Sequence, residues 1–199
     1  MKYPNSLQEL IEYFKLLPGI GEKNAERLAF AVLKFSDEQV KGFSESLKNV
    51  KTKIKKCEIC NNLTENDKCD ICLDQSRSSD VLCVVENTKN LILFEKANVF
   101  NGKYHVLEGL ISPLEGVNPE DIKINQLINR IKDEKIKEVI LALTPNIEGE
   151  TTSGYILKML EGYDVSVTKI AAGIPVGADM EYLDPLTIQM AMQGRNKLS

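Results

Sequence analysis

The chain has 199 residues, of which 43% are hydrophobic and 27% charged; that is too apolar for general disorder and long enough for one large domain, or two small ones plus a module. No run of about 18 apolar residues appears, which excludes a membrane-spanning helix, and the N-terminal stretch lacks the apolar core of an export signal, so a cytoplasmic protein is expected. The net charge of −4 is unevenly spread: residues 1–56 carry 11 Lys/Arg against 7 Asp/Glu, and residues 57–199 carry 14 against 22, so a basic head precedes an acidic body and the head is expected to meet an anionic partner.

Leu7, Leu10, Ile11 and Phe14 recur at helical spacing and predict an amphipathic first helix within MKYPNSLQELIEYF. Leu17-Pro-Gly-Ile-Gly21 interrupts it, because Pro18 strains a continuing helix and the two glycines permit backbone angles that other residues avoid. A second helix is predicted over Glu22 to Lys34, with Ala25, Leu28, Ala29 and Val32 inward. Ser36-Asp-Glu-Gln39 reads as a capping box opening a third helix towards Val50. Lys51 to Lys56 reads as a basic connector into a cysteine cluster. Beyond Asp80 the pattern changes to buried strands at Val81–Val85, Val139–Leu143 and Val165–Ile170. Helices are predicted between them at Ile122–Asp133 and Thr151–Leu160, and Leu91–Phe94 fits a short helix or a strand. Strands alternating with helices predict an α/β layer with right-handed crossovers.

Four of the five cysteines follow the pattern Cys57-x-x-Cys60, then Cys69-x-x-Cys72. Two such pairs bring four thiolates where one tetrahedral zinc collects them. Disulfides are disfavoured in a reducing cytoplasm, iron–sulfur proteins use other spacings, and neither pair is predicted at the strand-to-helix junction of a redox motif. A closed set of four ligands implies structural zinc. Cys83, inside a strand, reads as a buried apolar residue.

In the Leu17–Gly21 hairpin, Gly19 and Gly21 would let the backbone approach a phosphate, and the amides opening the next helix would point at it. Lys23 and Arg27 share a helix face and could bind neighbouring phosphates. This resembles the helix-hairpin-helix of sequence-independent DNA-binding proteins. The alternative is a plain turn between packed helices, with Lys23 paired to Glu22 or Glu26.

Glu86 follows the first buried strand, and Glu148-Gly-Glu150 follows the strand ending at Leu143. In a parallel sheet both lie at the carboxyl edge, where oxygen ligands could hold Mg²⁺. The arrangement resembles the Toprim domain of topoisomerases, primases and some nucleases. Catalytic Toprim domains carry Asp-x-Asp where this chain has Glu-x-Glu, and no tyrosine is marked as a nucleophile, so a non-catalytic edge that binds metal or protein is the reading preferred. The runner-up is a Toprim-type Mg²⁺-dependent nuclease or strand-transfer enzyme, and a third reading is a scaffold that binds proteins alone. His105 reads as a structural histidine. The Gly173–Gly177 loop lacks the Gly-Lys-Ser/Thr of a P-loop, and Met180, Met190 and Met192 read as core or interface packing.

Taken in order, LPGIGEKNAERLAF, CEICNNLTENDKCDIC, LCVVE, GKYHVLEGLISPLEGVNPEDI, EVILALTPNIEGETT and GIPVGADMEYLDPLT resemble the RecR family of bacterial recombination mediators over essentially the whole chain. The resemblance implies an α/β protein with a helix-hairpin-helix DNA-binding region (1–54), a four-cysteine zinc finger (55–78), a mostly parallel Toprim-like sheet domain (79–172) and a C-terminal loop and helix (173–199). It implies a DNA-binding homo-oligomer, typically a ring-shaped tetramer, acting with RecO and RecF to load RecA on single strands. Established catalysis is not a property of the family. Single- and double-stranded DNA would meet Gly19, Gly21, Lys23 and Arg27, and partner proteins the acidic edge of Glu86, Glu148 and Glu150. Mg²⁺ at that edge is disfavoured, because Asn90 stands where the family usually has Asp. Ala31, Thr144 and Ala172 also depart from the usual pattern.

Overall fold

A computed structural model describes residues 3–196. Residues 1–2, in the stretch read as the first helix, and 197–199, in the expected C-terminal segment, lie outside the described residues. The chain divides into two compact units, Met1–Ile54 and Lys55–Ser199.

The first unit has three helices. Helix α1 (Asn5–Lys15) and helix α2 (Glu22–Val32) bury Leu7 and Ile11 against Ala25 and Ala29, with Leu10, Phe14 and Ile20 packed around them. Large side chains on one helix facing small ones on the other let the two axes approach closely. Between them Gly19 takes a φ of +80°, a left-handed angle that disfavours any side chain. Gly21 departs from expectation, because its φ of −85° is ordinary extended backbone. Helix α3 (Asp37–Lys53) opens with both arms of the capping box: the Gln39 amide donates to Ser36 Oγ, and the Ser36 amide to Gln39 Oε1. This 17-residue helix buries none of its residues.

The expected basic connector does not exist as a separate segment. Helix α3 runs through Lys53, and Lys55–Lys56 form strand β1, which pairs antiparallel with β2 (Leu63–Thr64). A one-turn helix, α4 (Asp70–Leu73), completes this small module. The rest of the second unit is a parallel sheet of β3 (Val81–Val85), β4 (Lys103–Val106), β5 (Glu138–Ala142) and β6 (Ser166–Lys169), in the spatial order β4-β3-β5-β6. Helices α5 (Thr88–Ala97), α6 (Ile124–Glu134) and α7 (Ile147–Met159) connect the strands, and α8 (Pro185–Gln193) follows the last.

The side chains of β3 alternate between two apolar layers. Leu82 and Val84 join Leu127, Ile131, Val139, Leu141 and Ile156 on the face covered by α6 and α7. Cys83 and Val85 join Leu91, Tyr104 and Val106 on the face covered by α5. Of the two forms that the run at Leu91–Phe94 fits, it takes the helix, with the Asn87 side chain capping the Asn90 amide. Strand β4 has no counterpart among the expected strands, and α7 begins at Ile147, before the expected Thr151, because Asn146 Oδ1 caps the Gly149 amide. Met180 and Met192 are exposed and α8 buries none of its residues, so these two methionines are not core.

Candidate zinc centre and nucleic-acid interface

The zinc module starts from two tight turns. Asn61 takes a left-handed φ of 61°, which folds the first pair so that the Asn61 amide reaches Cys57 O at 2.9 Å and the Cys57 amide reaches Asn62 O at 2.7 Å. Cys69 caps α4 and so brings Cys72 back within one helical turn. All four sulfurs lie within 4.8 Å of one another, with Cys57 and Cys72 3.9 Å apart and Cys60 and Cys69 3.5 Å apart. Zn–S bonds of about 2.3 Å put neighbouring corners of a tetrahedron roughly 3.8 Å apart, so the spacing suits one zinc and leaves no room for a multi-iron cluster. The Cys69 amide donates to Cys57 Sγ at 3.3 Å, and such donors favour thiolate. Hydrogen bonding between Cys60 and Cys69 pushes the former thiol up and the latter down, so without a cation these two sulfurs share one charge. A divalent cation relieves that conflict. Cys83 lies elsewhere, its thiol pushed up to about 12 by burial, and is inert.

In the head, Lys23 and Arg27 are exposed and, among the described residues, neither is in an ion pair. The expected alternative partner Glu22 is taken by Lys15 at 2.7 Å. Helix α2 starts at Gly21 with no side-chain cap, and a Cβ built on Gly21 would meet nothing within 4 Å. Gly21 therefore has neither a conformational nor a packing reason to be glycine, and its smallness leaves the first-turn amides open to an approaching anion.

The acidic residues lie where the chain reverses across the sheet. Strand β3 pairs with β4 on one side and β5 on the other, and the loops leaving β3 and β5 meet at the carboxyl edge. There Thr144 Oγ1 donates to Glu86 Oε2 at 2.7 Å. Glu148 and Glu150 occupy the first turn of α7, and Glu150 pairs with Lys169 at 2.8 Å. The glycine between them is required by packing, since a Cβ at Gly149 would lie 1.8 Å from Thr144 O. Among the described residues, the four cysteines are the one group of three or more potential metal ligands whose atoms converge; Glu86, Glu148 and Glu150 do not form such a group.

His105 is fully buried on β4, with Nε2 3.0 Å from Lys123 O. Burial lowers its pKa from 6.5 to about 4, so it is neutral near pH 7, and Nε2–H is then the donor to that carbonyl.

Family models match the chain in succession. The helix-hairpin-helix of RecR covers residues 7–51, the four-cysteine zinc finger domain of RecR 54–74, the Toprim domain 80–171 and the C-terminal region of RecR 173–196. The chain belongs to the RecR family. RecR proteins are recombination mediators in DNA repair, and the DNA-binding, zinc-binding and Toprim modules of that family are all present here. The RecR zinc finger gives the cysteine geometry its occupant: one structural zinc held by Cys57, Cys60, Cys69 and Cys72.

The RecR zinc finger also leans on residues that sequence reasoning missed. Asn61 Nδ2 donates to Val106 O at 3.2 Å and Gln126 Oε1 at 2.9 Å, while Gln126 Nε2 donates to Glu58 O at 2.8 Å. Lys103 Nζ donates to the carbonyls of Ile71, Cys72 and Asp74. No local spacing marks these residues, because their partners lie tens of positions away. The one signal was composition: a Lys and a His inside an otherwise strand-like KYHV.

Proposed function

We propose that this chain is a non-enzymatic, sequence-independent DNA clamp of the cytoplasm that acts with RecO and RecF to promote RecA loading on single-stranded DNA. The observation that carries the reading is the succession of the four modules in one chain. DNA, single- or double-stranded, meets the head through Gly19, Gly21, Lys23 and Arg27. The bare start of α2 and the two exposed, unpaired cations support this assignment. Partner proteins meet Glu86, Glu148 and Glu150 at the sheet's carboxyl edge. The working boundaries are a DNA-binding head (1–54), a zinc finger (55–78), a Toprim-like body (79–172) and a C-terminal loop and helix (173–199).

A homotetramer suits a clamp, because several weakly binding heads on one duplex add through effective concentration. An exposed stripe on α3 supports self-association. Val40, Phe43, Leu47 and Val50, with Ile54 just past the helix end, recur at alternating spacings of three and four and remain 39–59% exposed, which is the pattern of a helix that packs on another helix.

The test is fluorescence anisotropy of gapped and duplex DNA across a salt series, comparing wild type with the Lys23→Ala/Arg27→Ala double variant. Each phosphate neutralised contributes roughly 0.9 to the log–log salt slope on duplex, so the expected result is a steep wild-type slope that falls in the variant by about two for each head engaged. Equal slopes and affinities would remove the hairpin from the DNA surface. Cleavage of labelled DNA in Mg²⁺ that disappears in Glu86→Gln would overturn the non-enzymatic reading.

A further inference from the structure

Lys103 opens β4, the strand at one edge of the sheet, and is only 9% exposed. Its ammonium reaches Asp74 O at 2.5 Å, Ile71 O at 2.7 Å and Cys72 O at 3.2 Å. That uses the three donors of an ammonium on three main-chain carbonyls, all at the end of the one-turn helix that carries Cys72. Among the described residues Lys103 makes no ion pair. The carboxylate of Asp74, whose carbonyl Lys103 holds, is engaged elsewhere: it accepts from Ser76 and faces Arg77. Arg77 in turn is bound to Glu95.

A buried ammonium without a counter-charge is costly, and carbonyl dipoles offset that cost in part. One zinc with four thiolates carries a net charge of −2, enclosed by the same module. We propose that Lys103 is a positioning residue of the zinc centre, clamping the Cys69–Cys72 pair to β4 while supplying positive charge that balances the zinc–thiolate cluster. The Cys72 peptide is fixed from both sides, since its carbonyl accepts from Lys103 and its amide donates to Cys69 O at 3.0 Å. The other end of the same strand holds the first pair, with the Val106 amide donating to Cys60 O at 2.8 Å. A four-residue strand therefore braces both halves of the metal site, one half through a charge and the other through a backbone bond. Partners of this kind set how firmly a metal is held although they never touch it. The inference stands apart from the proposed DNA clamp and survives if that reading fails.

The experiment is zinc transfer from the loaded full-length chain to an excess of chromogenic chelator, for wild type and the variants Lys103→Met, Lys103→Gln and Lys103→Arg. Far-UV circular dichroism checks the fold of each, and Lys137→Met serves as a control at an exposed lysine. Loss of the charge should speed release ten- to hundredfold in the Met and Gln variants, the range expected when a metal site loses a supporting partner. Release should slow again in Lys103→Arg, with the control unchanged. A folded Lys103→Met chain that releases zinc at the wild-type rate overturns the proposal. So does a Gln variant that matches wild type, because Gln keeps two N–H donors but lacks the charge. If Lys103→Met does not fold, the Gln and Arg variants decide the same question: fast and slow supports it, equal rates overturn it.

Discussion

The two units of this chain are stabilised in different ways. In the head, four side chains are buried among the described residues, and the longest helix buries none. In the body, two apolar layers sandwich a four-stranded sheet and a metal closes the module at its edge. A small helical unit with so little interior gains little from its own burial, and the apolar residues of α3 remain on its outside. The body depends on its interior and its metal. The head keeps most of its apolar side chains at its surface instead.

The largest effect should separate these sources of stability. Cys57→Ser removes a ligand from a site whose zinc, in comparable modules, contributes on the order of 10 kcal/mol to folding. Metal analysis should show the zinc lost, and melting should show the body's transition collapsed. Retention of both would dismiss the metal as a source of stability.

The next effect depends on pH. Because His105 titrates at about 4 in the fold and near 6.5 in the unfolded chain, the unfolded state binds more protons between those values, and stability rises with pH there. The contribution is fully present above pH 6.5 and is lost as pH falls towards 4, a change of roughly 3 kcal/mol at about 1.4 kcal/mol per pH unit. In His105→Gln, melting temperature plotted against pH should be flatter than wild type across this window; parallel curves would show that the histidine is not held neutral by burial.

The smallest effect on stability tests the head. Leu47→Glu on the α3 stripe should leave zinc content unchanged and the body's stability within about 0.5 kcal/mol, yet lower the assembly mass measured by light scattering. An unchanged mass would mean the stripe is not where copies meet.

Legibility in the sequence followed the range of the interactions. The cysteine cluster was readable because each pair closes within one turn, and the capping box because its two bonds span three residues. The apolar stripes of α1, α2 and α6 and the runs of β3 and β5 were readable for the same reason. Strand β4 was hidden because polar Lys103 and His105 interrupt its apolar run, and their partners, residues 71–74 and Lys123, meet them only in the fold. The carboxyl-edge position of Glu86 and Glu150 followed from the parallel order, but their engagement did not. Thr144 is 58 residues from Glu86, and Lys169 is 19 from Glu150. The extended backbone of Gly21 was hidden for a simpler reason, since a backbone angle has no signature in the sequence.

The zinc finger's seat on β4 has a consequence for the behaviour of the chain in a crowded solution. A sheet of four strands has two margins, and unpaired margins recruit strands from other molecules. One margin here, β6, is short and mostly exposed, with Thr168 and Lys169 at its end, a polar rim that discourages pairing. The other, β4, is buried along its whole length, and the Cys60 carbonyl already occupies the Val106 amide. The metal module thus caps the sticky margin of the sheet. A chain stripped of zinc would lose that cap and be prone to clump with its neighbours.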